Sequence, residues 1–192
     1  MKQFVDSANL LQTVSEEAQK NSETARELVG GLNEAQLNWK PAPDSWSIAQ
    51  CLEHLSVSLE EFGPYLSAAI AQGHDKYSVG VPVSYRPTWI GGWLARQLLP
   101  ETTRKLPAPK LLKPTEGSNI QGAAERFQAQ QQKFLEFVRA AAGVDYNKTR
   151  LRSPVTALMR YSLADAFVIN VVHEQRHLQQ AQRVKDRPEF PK

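Results

Sequence analysis

Apolar residues recur along this chain at intervals of three and four, the period of a helix with one buried face. The first run covers residues 3 to 32, with Phe4, Leu11, Val14, Ala18, Ala25, Leu28 and Leu32 in register, and closes around the helix-stopping pair Gly30-Gly31. A second run follows "KPAPDSWS" and carries Ile48, Cys51, Leu52, Leu55, Leu59, Phe62, Leu66 and Ile70. Ser47 and Gln50 have capping-box spacing at its start, with Asp44 or Ser45 as alternative caps. Pro64 lies inside this run and predicts a bend or an interruption. A third run starts at Ser118, with Gln121 three residues on, carries Ile120, Ala124, Phe127, Phe134, Val138 and Ala141, and stops at Gly143. The fourth opens on the capping pair Ser162 and Asp165, and its stripe is Ala166, Phe167, Asn170, His173, His177, Ala181 and Val184.

Between about 73 and 117, glycines and prolines break the pattern, and only "TWIGGWLARQLL" reads as a short helix. A second linker passes through Ser153-Pro154, with a short turn expected at 155 to 160. No strand-like alternation of useful length and no internal repeat emerges. Four amphipathic helices predict an all-α protein, a four-helix bundle forming one domain over 1–192 with an irregular insertion at about 73–117. So long a connection lets the second and third helices run parallel, so the expected order is up, down, down, up. Helices two and four are then antiparallel.

Composition narrows the class. With 41% hydrophobic and 22% charged residues among 192, the chain has the make-up of an ordinary globular protein. No apolar run approaches the roughly 18 residues of a membrane span, and the amino terminus lacks a signal peptide's continuous apolar segment. Cys51 is the single cysteine, which excludes an internal disulfide and suits a reducing compartment, so a cytoplasmic protein is expected, with no membrane partner. The net charge of +3 is mild. Arg104, Lys105, Lys110 and Lys113 form one basic group, and Lys148, Arg150 and Arg152 another. Both read first as solvated loop charge, with attraction of a small anionic substrate as the sharper alternative. No nucleic-acid-binding module is recognisable, and no nucleic-acid partner is expected.

The chemistry concentrates in "NVVHEQRHLQQ". His173 and His177, four apart, share a helical face, so both imidazoles can reach one ion. His54, one turn after Cys51, lies about 10 Å into the second helix. His177 lies about 15 Å before the expected end of the fourth, so the antiparallel order brings the levels together. Three neutral nitrogen ligands leave a fourth position for water, the composition of a catalytic rather than a structural site.

The string His-Glu-x-x-His also occurs in zinc proteases, but those need a downstream third ligand and a strand to hold the peptide. Only 15 residues follow His177 and no edge strand is evident, so proteolysis is set aside. Glu174 is expected beside the metal face, acting as a base only if it turns toward the site. Asn170 and Gln180 are candidates for orienting the imidazoles. Cys51 reads as a small buried hydrophobe rather than a thiolate ligand. Trp39 and Trp46 read as core and helix-entry residues; Trp89 and Trp93 read as packing the insertion onto the bundle, or as roofing the site.

"WKPAPDSWSIAQCLEHL", followed far downstream by "HEQRHLQQAQRV", resembles the DinB/YfiT-like superfamily of metalloenzymes. The resemblance covers most of the chain, and its more specific parts are Trp-Ser-Ile-x-x-x-x-x-His and the terminal His-x-x-x-His-x-x-Gln. It implies a four-helix bundle, a divalent metal on His54, His173 and His177, and a homodimer. It further implies an enzyme that activates water or a low-molecular-weight thiol on a small-molecule substrate, as a hydrolase or a thiol S-transferase. Zinc or nickel is the first expectation for the metal, with iron or manganese also compatible, since imidazole is an unselective ligand. The rival expectation is a non-catalytic dimeric helical module, with or without a structural metal.

Overall fold

A computed structural model of the protein describes residues 1–81, 83–102, 107–115, 120–156 and 158–192. Its helices are α1 (Lys2–Val5), α2 (Leu10–Val29), α3 (Glu34–Asn38), α4 (Ile48–Lys76), α5 (Trp89–Gln97), α6 (Ala123–Ala140) and α7 (Leu163–Lys185). Among the described residues a 3-10 turn also covers Lys110–Leu112, and there are two short strands, β1 (Arg150–Arg152) and β2 (Arg160–Ser162). The expected all-α class holds.

Local chemistry explains where the helices begin and where expectation and structure part. The first run is two helices, because Asn9 caps a new one, its side chain accepting from the Gln12 N–H at 3.4 Å. The restart moves the buried stripe onto Leu10, Val14, Ala18, Ala25 and Leu28, leaving Leu11 half-buried. Ser47 and Gln50 form the expected capping box on α4, and Ser162 and Asp165 do the same on α7. α4 runs unbroken through Pro64. The carbonyl that this proline leaves without a donor belongs to Glu60, and both residues are exposed, so water can take the bond. The third long helix starts at Ala123, after Gly122 at φ 63°, rather than at Ser118, which lies outside the described residues. Ile120 is buried all the same, its backbone N–H and C=O both paired with the Asn38 side-chain amide.

The expected turn at 155 to 160 is present, closed by the Met159 N–H on the Thr156 carbonyl, and the residues flanking it pair β1 with β2 antiparallel, Leu151 opposite Tyr161. Three residues are too few for an alternation to show in sequence. α2 and α4 each pack against both α6 and α7. Across these contacts Gln175 donates to Glu17, Lys185 to the Leu28 carbonyl, Arg126 to Glu53, and His74 Nε2 to the Ala140 carbonyl. One hydrophobic cluster centres on α7, with Phe134, Tyr161, Phe167 and Val171; a second joins α2, α4 and α7 through Leu28, Leu52, Leu55 and Leu178.

α5 is pinned to the start of α7. Asp165, fully buried, accepts from Tyr85 Oη (2.8 Å), Thr88 Oγ1 (2.7 Å), Ser162 Oγ (2.7 Å) and the Ser162 N–H (3.0 Å). A Cβ at Gly91 would sit 2.2 Å from that carboxyl carbon, so only glycine lets α5 approach so closely. Trp89 and Trp93, by contrast, are 84% and 44% exposed, and neither packs the insertion down as expected. Among the described residues no helix is long and apolar enough to cross a membrane.

Candidate metal centre

His54 projects from the second turn of α4, and His173 and His177 project from successive turns of α7. The three rings meet: one nitrogen from each lies within 4.8 Å of the others, and His54 Nε2 is 3.0 Å from His173 Nε2. Ring centroids are 4.5 to 4.9 Å apart, with the rings edge-on to one another. His54 is buried, while His173 and His177 are half-buried and open onto a cavity.

Hydrogen bonds fix the tautomers. His54 Nδ1 contacts the Leu112 carbonyl, which only accepts, so the proton is on Nδ1 and Nε2 presents a lone pair. His177 Nδ1 donates to Gln180 Oε1 at 3.0 Å, which likewise leaves Nε2 bare. Burial lowers the pKa of all three; that of His177 falls to about 3, with the His54, Arg176 and Arg183 charges adding to the effect. Neutral imidazoles with inward lone pairs are the form that binds a cation. The bare His54 nitrogen facing His173 needs a proton or a cation between them. At zinc–nitrogen bonds of about 2.0–2.1 Å, tetrahedral ligand nitrogens stand roughly 3.4 Å apart, so the donor set fits a divalent ion after small shifts.

Trp46 closes one side of the cluster, stacked on His177 (centroids 5.5 Å, interplanar 26°) and tilted against His54 at 4.9 Å. Sequence reading placed Trp46 at the helix entry, one residue before the Ser47 cap, without anticipating these contacts. The Leu112 carbonyl was not anticipated at all, since a backbone acceptor 58 residues from its histidine leaves no side-chain signature. Gln180 does orient its imidazole; Asn170 instead donates to the Ala166 carbonyl on its own helix, at 2.8 Å.

The structure does not bring Glu174 to the histidines. Its Oε2 accepts from Asn21 (2.8 Å) and Gln131 (2.7 Å), which places the carboxyl among α2, α6 and α7. Burial pushes its pKa up to about 8 despite those two bonds. Glu174 Oε1 and Gln131 Oε1 have no hydrogen-bond partner among the described residues. The expected placement beside the metal face is corrected: on a helix of 3.6 residues per turn, position 174 points about 100° away from 173. Cys51 is buried in the second hydrophobic cluster, its thiol pushed up to about 12 by burial, and it stands outside the histidine group.

The cavity in front of the histidines has a volume of about 1830 Å3. Leu94, Leu98, Met159 and Tyr161 line it, with Arg183 and Lys113 elsewhere on its wall. Trp89 and Trp93 are not among its lining residues. Arg104 and Lys105 lie outside the described residues, and Lys148, Arg150 and Arg152 are exposed, as solvated loop charge would be.

Stability should depend on pH in two opposing ways once metal is stripped. Each imidazole is lowered from 6.5 by folding, so the unfolded chain binds more protons and stability is lost as pH falls below about 6.5. Glu174 is raised from 4.5 to about 8, so its contribution is whole below 4.5 and is lost as pH climbs to about 8. Three imidazoles outweigh one carboxyl on the acid side. Urea midpoints measured from pH 5 to 8.5 on chelator-treated protein are expected to peak near pH 6.5 to 7, and Glu174→Gln to flatten the alkaline limb.

The fold and the site together define a mostly helical protein whose three converging imidazoles could hold a metal ion at the wall of a large cavity. Comparison with protein families assigns it further: the model of the DinB superfamily matches residues 17–181, and the chain belongs to that superfamily. No curated protein and no solved structure matches the chain significantly.

Proposed function

We propose that this protein is a metal-dependent enzyme in which His54, His173 and His177 hold one divalent ion, zinc or nickel before iron or manganese. The proposal includes an up-down-down-up four-helix bundle of α2, α4, α6 and α7. Supporting it, the early residues of α4 meet the early residues of α6 and the later residues of α7, while Glu17 and Leu28 of α2 meet Gln175 and Lys185 in the same order. One observation carries the functional reading: three imidazoles, those of His54 and His177 with their Nε2 lone pairs turned inward, converge at the wall of a cavity large enough for a small molecule, with His54 Nε2 standing 3.0 Å from His173 Nε2. A dimeric interaction module has no need of such a cavity.

A divalent ion there would supply Lewis acidity and lower the pKa of a coordinated water or thiol. The chain does the rest. The Leu112 carbonyl and Gln180 hold two rings with their Nε2 atoms inward. Trp46 covers one face of the His177 ring. Glu174, turned into the core, offers no base, so the nucleophile's proton leaves to solvent or to the substrate itself.

Activated esters and alkyl halides, assayed with and without a low-molecular-weight thiol, test the reading. Turnover by metal-loaded protein that disappears on chelation and in His54→Ala supports it. Turnover without thiol assigns a hydrolase, and turnover only with thiol assigns an S-transferase. Fully loaded protein that turns over neither would favour the non-catalytic module.

A further inference from the structure

The cavity is polarised along α7, and the histidines sit at the change-over. One helical turn before His173, about 6 Å away, stands Ile169, which shares the first hydrophobic cluster with Tyr161 and the adjoining Leu94 and Leu98. Beyond His177 in the other direction, the lining side chains turn cationic: Arg183 is about 9 Å on along α7, and Arg187 follows just past the end of the helix at Lys185. Lys40 and Lys113 line the cavity as well, and among the described residues only Asp44 and Glu101 on its wall oppose them. Both arginines are exposed, so a ligand's anionic group can reach them without the cost of desolvating a buried pair.

The nearer arginine has a flexible commitment. Arg183 donates to Gln179 Oε1 at 2.8 Å on an exposed helix face, a bond that a stronger acceptor displaces at little cost. Arg176 has a different task. Its Nη1 donates to the carbonyls of Leu99 (3.0 Å) and Thr102 (2.9 Å), clasping the chain that follows α5 over the cavity wall. The anion end is therefore Arg183 and Arg187, and the apolar end is Ile169, Leu94, Leu98 and Tyr161.

We infer that the cavity binds an elongated amphiphilic anion, its carboxylate or phosphate near Arg183 and Arg187 and its apolar body on Ile169, Leu94 and Leu98. The reactive bond of such a substrate lies between the two ends, opposite the histidines. That last placement rests on the metal-site reading; the polarity of binding does not. Contributions from the apolar wall should grow by about fourfold in affinity per buried methylene. The cationic end discriminates by sign of charge, since a like charge there is repelled.

Calorimetric titration of dodecanoate, tetradecanoate and tetradecylammonium below their micellar concentrations, chains long enough to reach from Arg183 to the apolar wall, on metal-loaded and chelator-stripped protein with metal content measured in each sample, tests the inference. Tetradecanoate is expected to bind about 15-fold tighter than dodecanoate, and tetradecylammonium at least tenfold more weakly than tetradecanoate, in both samples. The double variant Arg183→Gln/Arg187→Gln should lose tetradecanoate affinity at least tenfold with helicity unchanged, and Leu98→Ser should lower tetradecanoate more than dodecanoate. Equal binding of tetradecanoate and tetradecylammonium to loaded protein would overturn the inference and leave the metal site standing. So would tetradecanoate binding that vanishes on chelation yet survives in the arginine variant, because the anion would then be a ligand of the ion. Protein that takes up no metal but keeps the charge and length preferences would overturn the metal reading alone.

Discussion

Asp165→Ala is expected to destabilise the protein by about 3–5 kcal/mol, a large share of a domain's usual margin. Asp165 caps α7 through Ser162 and also holds Tyr85 and Thr88, which carry the strap leading into α5. Its removal leaves the nearly fully buried Tyr85 hydroxyl without its acceptor and strips a charge-assisted cap from the helix bearing two of the three histidines. Asp165→Asn keeps the volume but one oxygen becomes a donor facing donors, so roughly half the loss should remain. Urea unfolding reads both, as a fall in midpoint with unchanged slope. Gly91→Ala should approach Asp165→Ala in effect, since the new methyl meets the carboxyl itself. A loss below about 1 kcal/mol in Asp165→Ala would mean that water replaces the carboxylate readily and that α5 is held elsewhere.

His173→Ala is expected to weaken metal binding by more than about 100-fold, beyond the 10- to 100-fold typical of residues that only orient a ligand. The His173 ring, like the other two, is edge-on to both neighbours, and its Nε2 is in contact with that of His54. The fold should survive, because an alanine in mid-helix favours α7 and the half-buried ring packs less than a core residue. Gln180→Ala should give the smaller loss of an orienting partner, about 10-fold, and so separate ligation from orientation. Competition with a chromophoric chelator measures both constants. Equal, small losses in the two variants would show that His173 is no ligand.

Much of this was legible from sequence, and the rest was lost for definable reasons. The capping boxes at Ser47 and Ser162 and the glycine stop at Gly30 are local, contained within four residues, and they fixed three helix ends correctly. The meeting of His54 with His173 and His177 follows from helical rise and from the antiparallel order that the long connection predicts. What escaped notice is non-local. The Leu112 carbonyl under His54 and the second role of Asp165 toward Tyr85 and Thr88 join segments 58 to 80 residues apart through contacts that no periodicity encodes. Asn9 restarts a helix within the run that apolar spacing alone reads as continuous, and the third long helix begins at Ala123 after Gly122, later than the Ser118–Gln121 spacing places it. Glu174 was misplaced because a motif string gives neighbours in sequence, whereas a helix turns its next residue to another face.

X-ray absorption at the metal edge, on protein purified without a metal-affinity resin and compared with its His54→Ala variant, bears most directly on the convergence of the three imidazoles. One ion per chain with three imidazole nitrogens, at about 2.0–2.1 Å if it is zinc, falling to two in the variant, is the result expected here. A shell that is identical in wild type and variant, or a stable wild-type chain that retains no ion from metal-supplemented buffer, would contradict it.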